Sequence, residues 1–338
     1  GLGDVYKRQV IELPTFYMDF EAYNKNRFDY KSSSRDVKKI LRELDESNID
    51  GLVLDLRGNG GGFLFEAYSL AKLFIGRGNV VQVMEANGSL QSLGHNLGQQ
   101  NYDGPIVILV DKLSASASEI LAGVIQDYDR GLVIGSQTFG KGTVQRMIEL
   151  SHGHLKFTEQ KYYRVSGEST QNKGVEPDIT IPLVFDDEEI GERSYENSLP
   201  YNHIDPIFYR SFNNVENVDL LKTTSSNRTD SNEMSIYINS QQEFYEIEKN
   251  SNEVPINLEI RKIMKLAREE KILKMENKFR KSLNLDPFVT YDEFVNSDPE
   301  EISELREGIV LKEAAEILVD SIQLKEAPSR LSFGILNQ

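Results

Sequence analysis

Pro105-Ile106-Val107-Ile108-Leu109-Val110-Asp111-Lys112-Leu113-Ser114-Ala115-Ser116-Ala117-Ser118-Glu119-Ile120 decides the fold. Its first six residues form an unbroken apolar run, which reads as a strand buried on both faces. Its end places small hydroxyl residues where a helix begins, because Ala117, Ile120, Leu121, Val124 and Ile125 recur at helical spacing. The same grammar repeats on either side. Leu52 to Leu56 is a second buried run, followed by Arg57-Gly58-Asn59-Gly60-Gly61-Gly62 and a helix over Phe65 to Phe74. Leu132 to Gly135 is another, followed by Phe139-Gly140-Lys141-Gly142-Thr143-Val144-Gln145. Upstream, Val10 to Phe16 reads as a strand, and Val37, Ile40, Leu41 and Leu44 mark a helix from Arg35. Strands alternating with helices at this spacing predict a right-handed parallel α/β core. Val144 to Leu150 and Leu155 to Val165 alternate like antiparallel strands, and Glu85 to Asp103 reads as a surface loop or hairpin.

The pattern changes after Leu183. Phe185 to Glu192 is acidic, and Asn213 to Glu233, rich in Asn, Ser, Thr and Asp, reads as a flexible segment. Helical patterns follow at Gln241 to Lys249, Ile256 to Lys281 and Pro299 to Gln323, the last with a break expected near Gly308. The expected organisation is a leader over residues 1–9, an α/β core over 10–184 and a mostly helical domain over 185–338. Gly1 to Gln9 reads as non-native sequence, and the chain as a fragment of a longer one.

The 338 residues are enough for a sizeable core, and the net charge is -16. That sign argues against nucleic acid, whose binders cluster Lys and Arg. It argues equally against broad attachment to an anionic membrane. The sequence has no cysteine, so disulfides, cysteine-ligated zinc and a thiol nucleophile are excluded. No apolar run reaches the length of a membrane span.

Two groups are placed for nucleophilic chemistry. Ser116 follows a core strand and opens a helix, where backbone amides favour developing negative charge. Lys141 follows another core strand between two glycines, and burial would favour its neutral form. A serine needs such a base. The usual base is histidine, but His95, His152, His154 and His203 all lie away from core strand ends. Plainer readings stand beside these: an N-cap for the serines, a solvated lysine, a tight turn for Gly60-Gly61-Gly62.

Asp55 to Gly62, Ser114 to Ile120 and Phe139 to Gln145, in this order, resemble the carboxy-terminal processing peptidases, serine proteases with a Ser-Lys dyad. Tyr162-Tyr163-Arg164-Val165, Ser169-Thr170-Gln171, Gly174 to Asp178, Leu199-Pro200-Tyr201 and Ile204-Asp205 resemble the tail-specific protease branch. The resemblance implies a ClpP/crotonase-like α/β core with parallel sheet, helices and antiparallel strands, then a helical C-terminal domain. It implies Ser116 as nucleophile, Lys141 as general base and Gln145 as the group orienting the lysine. The Gly61-Gly62 backbone and the Ala117 amide would form the oxyanion hole. Asp127 stands where the family sometimes shows a supporting acid, and reads here as structural. Ser114 and Ser118 are the competing nucleophiles, and Asp55 and Arg57 fix the glycine turn.

No metal or cofactor is implied. The implied substrates are proteins or peptides with accessible, apolar C-termini, and the implied location is a bacterial periplasm or cell envelope. Family members carry a PDZ domain. None fits between Val10 and Leu183, so the resemblance places it upstream. The helical domain is a candidate for docking an adaptor or a second copy. The rival readings are an acyl-coenzyme A enzyme of the crotonase type and an inactive scaffold that binds protein tails.

Overall fold

The computed structural model describes residues 6–94, 98–181, 190–230, 232–249 and 255–335. His95, most of the leader and most of the acidic run at 185–192 lie outside them. Strands β1 (Arg8–Glu12), β2 (Gly51–Asp55), β5 (Ile106–Val110), β6 (Leu132–Gly135) and β9 (Ile179–Thr180) form a parallel sheet in the order β1-β2-β5-β6-β9. Every residue of β2, β5 and β6 is buried. Burying a side chain such as Leu54 or Ile108 contributes about 1.5–3 kcal/mol. Their apolar runs therefore stabilise central strands, and the one charged residue among them, Asp55 at the end of β2, is buried only with Arg57 as its partner.

Helices α1 (Phe20–Asn24), α2 (Ser33–Glu46), α3 (Leu64–Ile75) and α4 (Ala117–Asp127) fill the connections, and α3 packs against both α2 and α4. A second, antiparallel sheet has the order β4-β3-β8-β7, from β3 (Val81–Glu85), β4 (Leu90–Leu93), β7 (Thr143–Glu149) and β8 (His154–Tyr163). Because β2, β5 and β6 are neighbours about 4.8 Å apart, the turns leaving their carboxyl ends converge. Those three turns carry Gly61, Ser116 and Lys141.

The chain forms two compact units, Gly1–Leu221 with Ala314–Gln338, and Lys222–Glu313. This division differs from the expected boundary at 184/185. Residues 190–212 lack apolar periodicity, yet their backbone is held by the core: Glu192 N donates to Phe139 O (2.9 Å), Ile204 N to Gly167 O (2.9 Å) and Phe212 N to Tyr128 O (2.8 Å).

The second unit corrects two expectations. The polar stretch Asn213 to Glu233 is not simply loop: α5 (Val218–Thr229) forms there. Its Ser225 hydroxyl and Arg228 guanidinium both donate to the buried carboxylate of Glu313, at 2.7 and 2.8 Å. Helices α6 (Glu233–Lys249), α7 (Leu258–Ser282) and α8 (Tyr291–Val295) follow. Helix α9 (Pro299–Ile335) then runs through Gly308 without the expected break. A glycine inside a helix costs only about 1 kcal/mol relative to alanine. Burial of Val310, Ala314, Ile317 and Leu318 further along α9 outweighs it. No described helix is long and apolar enough to cross a membrane.

Candidate active site

Ser116 is the N-cap of α4 and has φ 58° and ψ -108°, a conformation that non-glycine residues rarely adopt. Such outliers persist only where the surroundings hold them, and here the surroundings are polar and buried. The flanking serines are spent. The Ser114 hydroxyl donates to Leu56 O and the Ser118 hydroxyl to Asn59 O, each at 2.8 Å, and both side chains are fully buried. Ser116 is only partly buried, and its hydroxyl donates no hydrogen bond among the described residues.

The glycine turn lies directly against this serine. A Cβ built on Gly61 would stand 2.9 Å from Ser116 Cβ and 3.1 Å from Ala117 N, and one on Gly62 would stand 2.2 Å from Phe16 O. Both have positive φ, so glycine is required twice over. The Gly61 amide donates to Asn59 Oδ1 at 2.9 Å, which leaves Gly61 as the residue that permits close approach rather than as a donor. The amides of Gly62 and Ala117 have no acceptor among the described residues. Asn59 organises this turn. It is fully buried, its Nδ2 donates to Leu13 O (2.7 Å), and its carbonyl accepts from Ala115 N and Ser118 Oγ. Asp55 and Arg57 brace the turn through a buried, two-pronged ion pair.

Lys141 enters from the turn between β6 and β7. Its Nζ donates to Gln145 Oε1 at 3.4 Å and not to Ser116 Oγ. A β-bulge between Val144 and Gln145 aims that glutamine. Burial holds the lysine below its ordinary pKa of 10.5, helped by Lys156 and opposed by Glu192 and Glu119.

The residue that joins nucleophile and lysine is Glu119, which sequence reasoning did not assign. Its fully buried carboxylate accepts from Ser116 N (2.7 Å) and Lys141 N (2.9 Å) on one oxygen. Its other oxygen accepts from Gly140 N and Thr138 Oγ1, each at 2.7 Å. Burial drives its pKa up to about 7, against the lowering effect of those four donors. Tyr162 makes a second bridge, its buried hydroxyl shared between the carbonyls of Lys141 and, at 3.2 Å, Ser116. Thr170 supports that hydroxyl at 3.0 Å, and Gln171 Oε1 accepts from Gly142 N at 2.9 Å.

Residues 10–181, just over half of the chain, match the model of peptidase family S41. The chain belongs to peptidase family S41. Residues 185–323 match the model described as the C-terminal domain of tail specific protease. This S41 chain is 36% identical over 284 residues to a tail-specific protease of Haemophilus influenzae, covering 81% of the chain and 37% of that protein. It is 40% identical over 147 residues to a carboxy-terminal-processing protease of Bartonella bacilliformis, covering 43% of the chain and 34% of that protein. It thus spans little more than a third of the length of these relatives. A solved photosystem II D1 C-terminal processing protease shares 31% identity with a TM-score of 0.43, over 52% of this chain and 42% of that one.

The S41 chain does not bring Asp127 to the serine. Asp127 ends α4, eleven residues or about 16 Å of helix beyond Ser116. There it pairs with Arg164 (2.5 and 3.1 Å) and accepts from Ser166 (3.2 Å), with both partners of the pair largely buried. Asp127→Ala should therefore lower stability by about 3–5 kcal/mol, since it strands a buried guanidinium. Denaturant unfolding measures this, and Ser116 reactivity below the unfolding transition should stay within about twofold of wild type. His152 and His154 lie at the far turn of the β7–β8 hairpin, and His203 bridges Glu168. None of the three is hydrogen-bonded to Ser116.

Proposed function

We propose that the chain carries the catalytic centre of a serine endopeptidase that works through Ser116 and Lys141. Lys141, whose pKa burial lowers, takes in its neutral form the proton from the Ser116 hydroxyl as its oxygen attacks the scissile carbonyl. The amides of Gly62 and Ala117 receive the developing oxyanion, a contribution of about 100- to 1000-fold in rate per donor. The lysine passes the proton to the leaving amine, the acyl-enzyme remains on Ser116, and water attacks it with Lys141 again as base. Gln145 holds the amine between these steps. Lys141 Nζ donates to Gln145 and not to Ser116 in the free chain, and catalytic hydrogen bonds often tighten only with substrate present.

The observation that carries this reading is the shared Glu119 oxygen. It anchors the backbone of Ser116 and of Lys141 to one point, beside the one serine of the three whose hydroxyl donates no hydrogen bond among the described residues. The names of the relatives, a tail-specific protease and a carboxy-terminal-processing protease, support protein or peptide substrates acted on at their C-termini, and the sequence resemblance supports accessible, apolar ones. The bacterial relatives, with the sequence resemblance, support a periplasmic or cell-envelope location. Exposed Ile256, Ile260 and Ile263 at the start of α7 support an adaptor or second copy as partner of the helical region.

A fluorophosphonate probe tests the chemistry directly. It should label Ser116 and leave Ser114 and Ser118 untouched, read by peptide mass spectrometry. A folded protein that stays unlabelled is the tail-binding scaffold instead, and labelling at either neighbour moves the nucleophile.

A further inference from the structure

At the opposite end of α4 from Ser116 lies a groove of about 640 Å³. Its wall is aromatic, from Tyr128, Phe208 and Phe212, and its rim carries Arg77 and Arg210. Tyr128 is fixed by its hydroxyl, which donates to Asn79 O at 2.8 Å, and its ring packs 6.3 Å from that of Phe212. Phe208, by contrast, is 91% exposed, an unusual position for a phenylalanine that covers no core. Neither arginine has an ion-pair partner among the described residues, in a chain with 54 Asp and Glu against 38 Lys and Arg. Unpaired guanidinium groups beside an aromatic wall fit a ligand with an anionic group next to an apolar one.

We propose that this groove is an exosite for the carboxyl-terminal residue of a peptide, with the terminal carboxylate at Arg77 and Arg210 and the last side chain against Phe208 and Tyr128. A chain end suits the site better than an internal acidic residue does. Its carboxylate and its final side chain leave the same Cα, so charge and apolar surface fall together within a few ångström. The volume matches two or three residues rather than a long strand. Helix α4 separates the groove from Ser116 by about 18 Å, which an extended peptide crosses in about six residues. A tail held here would present a bond some six or more residues upstream to the serine. The inference deepens the protease reading and rests on it for the identity of the ligand.

Fluorescence anisotropy with the Ser116→Ala chain tests it, using a labelled decapeptide ending in Val-Phe as the free acid and as the amide. The amide should bind about tenfold more weakly, and the Arg77→Ala/Arg210→Ala and Phe208→Ala variants should weaken the acid by about the same factor. All three side chains lie on the surface, so the variants should keep the wild-type circular dichroism and, with Ser116 restored, its fluorophosphonate labelling. Equal affinity for acid and amide overturns the exosite. So does an acid preference that survives both sets of variants, because the carboxylate then binds elsewhere. Failure of Ser116 labelling with the acid preference intact would remove the protease and leave the groove.

Discussion

Lys141→Arg should be as inactive as Lys141→Ala, both falling at least about 1000-fold in kcat/KM on an unstructured peptide. Arginine keeps the charge, the length and the capacity to donate to Gln145, so a lysine with a purely structural task would be partly replaced by it. It cannot give up its proton at any ordinary pH and so cannot accept one from Ser116. Ser116→Ala should match these losses, and the double variant should lose little more, since the two groups act as a unit. The sign of the pH dependence follows. As the proposed base, Lys141 would work only when neutral, and burial places its pKa below 10.5. Activity should rise with pH through that lowered pKa and fall as protonation restores the ammonium. Measurable turnover by Lys141→Arg would remove the lysine from the chemistry.

The second large effect is expected at Glu119. Glu119→Gln preserves shape but replaces one acceptor oxygen by an NH2 group. That group must face either the amides of Ser116 and Lys141 or those of Gly140 and the Thr138 hydroxyl. Donors then meet donors at a buried point, at about 1–3 kcal/mol for each group left unsatisfied. The loss in kcat/KM should be about 100-fold, with a similar loss in the rate of fluorophosphonate labelling. A pH series separates positioning from mere scaffolding. The folded-state pKa of Glu119 is raised to about 7 from 4.5, so the native protein holds this proton more tightly than the unfolded chain. Its contribution to stability is therefore full below about 4.5 and is lost as pH rises towards 7. Catalysis should move oppositely, because the four-donor clamp needs the carboxylate. Wild type should show an activity limb near pH 7 that Glu119→Gln lacks. A variant with unchanged activity and the same limb would place the clamp outside the mechanism.

How much of this was legible beforehand depended on the range over which each cause acts. Leu52 to Leu56 and Ile106 to Val110 announce buried strands because both faces of a central strand lose their water. The turns after them were readable for the same local reason, and with them the positions of Gly61, Ser116 and Lys141. Ser114, Ser116 and Ser118 are chemically alike in the sequence. Only the carbonyls of Leu56 and Asn59, more than fifty residues away, distinguish them. Glu119 looked like an ordinary first-turn acid favourable to a helix N-terminus. Its partners at 138, 140 and 141 exist only once β6 lies beside β5. Helix α5 was hidden likewise, since its polar face is satisfied by Glu313, 85 residues beyond Arg228. Phe208 and the two arginines gave no signal, because an aromatic residue in a polar stretch acquires meaning only from the wall it joins.

The left-handed backbone at the mouth of α4 restricts which alcohols this centre can employ. Threonine offers an equally competent oxygen, but its extra methyl stands on the carbon nearest the main chain, where φ 58° leaves a forked side chain the least room. A secondary alcohol is thereby barred on steric grounds from a post that its chemistry would suit. Unbranched replacements such as cysteine keep the geometric licence, so exchange of one nucleophile for another is limited here by torsion before reactivity is ever tested.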